Sequence, residues 1–153
     1  MTETNATKVY IFKVALKGAK RIWRRIAMLG NQTLDDFHEA IYTAFEREEE
    51  HLYSFYFPLP GSRGRARLRE AIEYTHPYSF EDNPFADERC HNAATTKIED
   101  LGLKKGQQFE YLFDFGDRWW HEIIVEQTDG EVEKGRYPRI IEKHGKSPPQ
   151  YPE

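Results

Sequence analysis

At 153 residues the chain is of single-domain size, long enough to bury about two-thirds of its unfolded surface. A net charge of −4 excludes a protein that coats nucleic acid or anionic membrane over its whole surface, and leaves room only for a local basic patch. The single cysteine, Cys90, excludes an internal disulfide; with no leading apolar segment and no run of about eighteen apolar residues, a cytoplasmic protein without membrane contact is expected.

In chain order, KVYIFKVALK alternates, with Tyr10, Phe12, Val14 and Leu16 on one face, and predicts a strand. A turn at Gly18 returns the chain as a second strand, RIWRRIAML. There Arg24 shares a face with Ile22, Ile26 and Met28, and Arg25 with Trp23, Ala27 and Leu29. Whichever face is inward, one arginine starts from an apolar surface and must reach solvent or a carboxylate. Thr33 caps a helix that stops near Arg47, with Leu34, Phe37, Ile41, Ala44 and Phe45 as its buried stripe. HLYSFYF is a third strand. Residues 58–95 carry turn formers and little periodicity and are expected to be a long insertion with one short strand. TKIEDLGLKKG follows as a short helix closed by Gly102 or Gly106.

Residues 109–126, which include FDFGDRWWHEIIVE, alternate on both sides of Gly116-Asp117 and predict a hairpin apolar on both faces. A two-residue type II′ turn at Gly116 sets Phe113 against Trp120 and Asp114 against Trp119, with His121 opposite Leu112. A three-residue loop instead puts His121 on the Phe113 face. The order ββαβ–insertion–αββ predicts an α+β two-layer sandwich: a mainly antiparallel sheet of about five strands with two helices. One domain spans 1–153, with 1–7 disordered and 136–153 a proline-rich tail over the surface. The triplet Asp114-Phe115-Gly116 spells a kinase magnesium motif. Without a glycine-rich phosphate loop or a His-Arg-Asp loop, it is hairpin chemistry.

The hairpin resembles the Asp-Phe-Gly-Asp-x-Trp-x-His-x-Ile-x-x-Glu signature of the plasmid pRiA4b ORF-3-like family. The match falls on Asp114, Phe115, Gly116, Asp117, Trp119, His121, Ile123 and Glu126. IWRRI at 22–26, TLDDFHEAI at 33–41 and HLYSF at 51–55 agree. The resemblance implies a place in plasmid or mobile-element biology and carries over no reaction. The family's acidic Pro-Pro-Glu-Asp turn reads Pro148-Pro149-Gln150-Tyr151 here.

Two constellations carry chemistry. His38, His51, Asp114, Asp117, Trp119, His121 and Glu126 form a candidate polar site. Imidazoles and carboxylates can hold zinc or iron, but these residues come from separate elements with no close His-x-x-x-His pair. On the helix face of Leu34 and Ile41, His38 also reads as a hydrogen-bonded core histidine. No metal ligand, cofactor or catalytic residue is therefore assigned. Arg21, Arg24 and Arg25 on the first hairpin, with Arg63, Arg65, Arg67 and Arg69 at period two, are the candidate nucleic-acid contacts, presented on one side if that segment is extended. The expected function is a non-catalytic binding module contacting nucleic acid. A small metal-dependent hydrolase and a protein–protein adaptor docking through the tail prolines are the alternatives.

Overall fold

The computed structural model describes residues 7–82 and 88–151. The expected disorder at the N-terminus concerns residues outside these, apart from Thr7. Val9–Leu16 (β1) and Ala19–Leu29 (β2) pair antiparallel, and β1 pairs on its other side with Trp119–Gly130 (β7). Tyr53–Phe57 (β3) and Gln108–Phe113 (β6) extend the sheet beyond β7. These strands form where two-residue alternation places them.

Where one short strand was expected in residues 58–95 there are two, and the tail adds another, which corrects the expected architecture. Ile72–Thr75 (β4) and Cys90–Asn92 (β5) arise within residues 58–95, and Arg139–His144 (β8) within the tail. Among the described residues the strands make one eight-stranded sheet in the order β5-β4-β3-β6-β7-β1-β2-β8. The sheet is mixed because β4 and β5 run parallel. Among the described residues the helices are Leu34–Ala44 (α1) and two short ones, Ala66–Arg69 (α2) and Pro77–Glu81 (α3). A two-layer sandwich of five strands and two helices is therefore not what forms. The segment expected as a second helix is only a 3-10 turn, Ile98–Leu101, ended by Gly102 at φ 65°. The added strands escape alternation because they are short and lie at or near the sheet edges: β8 exposes both Ile140 and Ile141, and β4 is mostly half-buried.

α1 packs its apolar face on one side of the sheet. Thr33 and Asp36 form a reciprocal capping box at its start, and Phe37 stacks between Phe12 and Phe55, with ring centroids 4.6 and 5.6 Å away. Arg24 is the inward arginine of β2 and, among the described residues, forms no ion pair with a carboxylate. It donates instead to the carbonyls of Ala44 (2.9 Å), Trp23 (2.8 Å) and His144 (3.0 Å), tying the end of α1 to both β2 and β8. The tail also clamps the chain after α1. Ser147 donates to the Phe45 carbonyl, and Gln150 Oε1 accepts the backbone N–H groups of Glu48 and Glu49.

The β6–β7 register differs from the two-residue turn. Phe113 pairs with Trp119, Leu112 with Trp120 and Tyr111 with His121, leaving residues 114–118 as the loop. Positive φ falls on Asp114 (68°) and Arg118 (58°), while Gly116, which a II′ turn needs there, does not carry it. The Asp114 carboxylate stabilises the loop by accepting N–H from Gly116 (3.0 Å) and Asp117 (3.3 Å). The odd loop length puts His121 on the Phe113 face, the alternative outcome, and so into the core.

Candidate functional site

Where α1, the chain entering β3 and the segment after β4 meet, a cleft of about 490 Å³ opens to solvent. Its wall includes Asp35, His38, Glu39, Glu50, His51 and His76. His38 is the deepest of these, 1% exposed, with its ring stacked on Tyr53 at 3.9 Å between centroids. Burial, opposed by the charge of Asp35, holds its pKa down at about 3, so the imidazole is neutral at pH 7. Tyr111 is buried and pushed well above its ordinary value, so its hydroxyl keeps its proton and donates to His38 Nδ1 at 2.6 Å. Nε2 then carries the ring proton and donates to Glu50 Oε1 at 3.0 Å. This contact is a hydrogen bond of a neutral ring, not a salt bridge.

His38, Glu39 and Glu50 each offer a ligand atom, all within 4.8 Å of one another. Burial first, then the charges of Glu50 and Asp35, raises the pKa of the Glu39 carboxyl, and burial followed by the charge of Asp35 raises that of Glu50. Gathering these acids is therefore unfavourable unless a cation or proton joins them. A cation at Nε2 requires the other His38 tautomer, with Nδ1–H donating to the Tyr111 oxygen. That second contact would fix the ring orientation.

Of the residues singled out from sequence, only His38 and His51 line this cleft. His51 Nε2 is 2.6 Å from the Tyr151 hydroxyl and 3.5 Å from Asp114 Oδ2. His121 is fully buried elsewhere: Nδ1–H donates to the Tyr111 carbonyl (3.3 Å) and Nε2 accepts from Arg47 Nη2 (3.0 Å). Burial and the Arg47 charge hold its pKa at about 3. Among the described residues Arg47 pairs with no carboxylate, and it lies against the rings of Phe45, Phe113 and Trp119. Burial lowers its guanidinium to about 10, still charged at neutral pH. Trp119 is half-buried, Asp117 is exposed in the loop, and Glu126 pairs with Arg25.

The missed residues are Asp35, Glu39, Glu50 and His76. Glu39 directly follows His38, and Glu50 closes the acid run Glu48–Glu50 on the return toward the sheet; together those were the available signal. His76 falls in the unreadable insertion.

The basic residues are dispersed. Arg24 is buried. Arg25 binds Glu126 and Glu142, while Arg67 reaches Glu110, 1% exposed, at 2.7 Å, with Lys17 on that carboxylate's other oxygen at 3.2 Å. Residues 66–69 turn as α2, so the four loop arginines do not form an extended row. Arg21, Arg63, Arg65 and Arg69 remain exposed.

This geometry is an eight-stranded mixed sheet with an 11-residue helix packed on it and a histidine–carboxylate cleft beside it, a candidate cation site. The family model described as Plasmid pRiA4b ORF-3-like protein matches residues 8–151, and the chain belongs to that family. It is 28% identical over 129 residues to the uncharacterized protein y4hQ of Sinorhizobium fredii, covering 84% of this chain and 58% of that protein's length. The chain thus spans little more than half of that relative. The crystal structure of a protein of unknown function, MM3350 from Methanosarcina mazei Go1, superposes with a TM-score of 0.71 at 24% identity. That match covers 94% of this chain and 73% of the other, a likeness of fold. Among the described residues no helix is long and apolar enough to cross a membrane.

Proposed function

We propose that the chain is a small metal-dependent hydrolase whose divalent cation is held by His38, Glu39 and Glu50. One observation carries this reading: a histidine nitrogen and two carboxylates, within 4.8 Å of one another, stand on the wall of a cleft with room for a small substrate. One nitrogen and carboxylate oxygens suit zinc or manganese. Such a cation supplies a Lewis acid that polarises a carbonyl or phosphoryl oxygen. The protein's part is to orient His38 through Tyr111 and to hold Glu50 opposite it.

Zinc titration by calorimetry tests the site. About one equivalent is expected to bind the wild type, and Glu50→Gln or Glu39→Gln to weaken binding by about tenfold or more. No binding by the wild type, or unchanged affinity in Glu50→Gln, would defeat the proposal.

Nucleic-acid contact is a second reading, favoured by the exposure of Arg63, Arg65 and Arg69 on one short stretch around α2. Replacing the three by serine should then weaken binding of labelled single-stranded DNA and flatten its salt dependence. An unchanged isotherm would remove that surface.

A further inference from the structure

His76 lines the cleft but is absent from the group whose ligand atoms converge. Its position is set by β4, which it follows: its backbone N–H donates to the Tyr53 carbonyl at 3.1 Å. Its ring centroid lies 5.5 Å from that of Tyr53, the residue on which His38 stacks. Its Nδ1 accepts the backbone N–H of Tyr78 at 2.9 Å. A backbone amide can only donate, so Nδ1 carries no proton, and the neutral ring must carry its proton on Nε2. The other nitrogen, Nε2, is thus an N–H donor on a ring that lines the cleft. A metal ligand would have to be a bare nitrogen there, and the Tyr78 amide blocks the tautomer that provides one.

From this fixed tautomer we infer that His76 is the cleft's hydrogen-bond donor to a substrate oxygen, not a ligand of its cation; the inference rests on the metal reading above. His38 and His76 divide the work. His38 has at Nδ1 the Tyr111 hydroxyl, which can accept as well as donate, so the ring can carry its proton on Nδ1 and leave Nε2 bare for a cation. His76 has a partner that forbids the same move. Among the described residues no lysine or arginine lines the cleft, and three carboxylates do. The substrate that fits is therefore an uncharged acyl compound, whose carbonyl oxygen takes the His76 N–H as negative charge develops on it, rather than a phosphate ester.

His76→Asn is the informative variant. The asparagine oxygen can take the Tyr78 N–H, while the donor into the cleft is lost. Long-range proton–nitrogen NMR of the wild type at neutral pH should show His76 protonated on Nε2; protonation on Nδ1 would overturn the inference. Zinc affinity of His76→Asn should match the wild type within about twofold, whereas a tenfold loss would make His76 a ligand. On the zinc-loaded protein, acetohydroxamate should bind about tenfold more weakly to His76→Asn than to the wild type, and equal binding would refute the donor role. Inorganic phosphate displacing acetohydroxamate at a lower concentration than acetate does would refute the acyl assignment. Failure of the wild type to bind zinc would remove the hydrolase reading while the NMR result still decided the tautomer.

Discussion

Acid should destabilise this fold before its carboxylates titrate, and His121 provides a measurable share of the effect. Both ring nitrogens are committed in the neutral form, one to the Tyr111 carbonyl and one to the Arg47 guanidinium. A second proton would have to displace the bond from Arg47 and sit, buried, against its positive charge. The folded pKa is held at about 3 against 6.5 for the free group. Between these values the unfolded chain binds a proton that the folded chain does not. Stability is therefore fully present above pH 6.5 and falls by about 1.4 kcal/mol per pH unit below it. From pH 7 to pH 5 that amounts to about 2 kcal/mol for His121, with a comparable share from His38, also held at about 3. His121→Asn keeps an acceptor for Arg47 and removes the titration. Urea unfolding followed by tryptophan fluorescence at pH 7, 6 and 5 should show the variant losing about 2 kcal/mol less than the wild type across this range. Equal losses in the two proteins would refute the linkage, whatever the variant's stability at pH 7.

Two further predictions separate structural from surface roles. Arg24→Met should cost about 2–4 kcal/mol, because three carbonyls lose their donor at the junction of α1, β2 and β8; Arg25→Met, which breaks partly solvated ion pairs, should stay within about 1 kcal/mol. Thermal or urea unfolding checks both, and equal costs would contradict the burial of Arg24. Asp114→Ala should cost about 1–2 kcal/mol through lost loop hydrogen bonds and a left-handed backbone, while Asp114→Asn should recover most of it. An asparagine variant as unstable as the alanine one would show that the charge, facing His51, matters more than the loop.

The long strands and α1 were legible because each buries a continuous stripe. Phe12 and Val14, Phe55 and Phe57, Phe109 and Tyr111 repeat at two, and Leu34, Phe37 and Ile41 at helical spacing. β4, β5 and β8 were not, since a strand of three to six residues at a sheet margin needs few buried positions and so imposes little pattern. Register was lost for a different reason. With large apolar groups on both faces of the hairpin, alternation cannot say which face is inward, and the choice fell to the loop. There Asp114 replaced glycine in the left-handed position by capping the turn with its own carboxylate.

The same distinction explains the candidate site. Residue types pointed to histidines and acids, but type does not report partners. The signature residues Asp114, His121 and Glu126 each already have one within the fold: a loop, a carbonyl with a guanidinium, and an arginine. Among the described residues Glu50 has the His38 ring N–H and Glu39 has no hydrogen-bond or ion-pair partner, and that surplus of acceptors over donors distinguishes a place for a cation from a satisfied network. Arg47 is the opposite case, a buried cation with aromatic rings and a neutral histidine in place of a carboxylate. It lies in the segment that leads from α1 to Glu50, and its bond to His121 anchors that segment to the core. The strained Glu46 (φ 55°), Arg47 and the Gln150 clamp thus act together to fix where Glu50 meets His38. Cleft geometry here is written in the turn after α1, not in the signature hairpin.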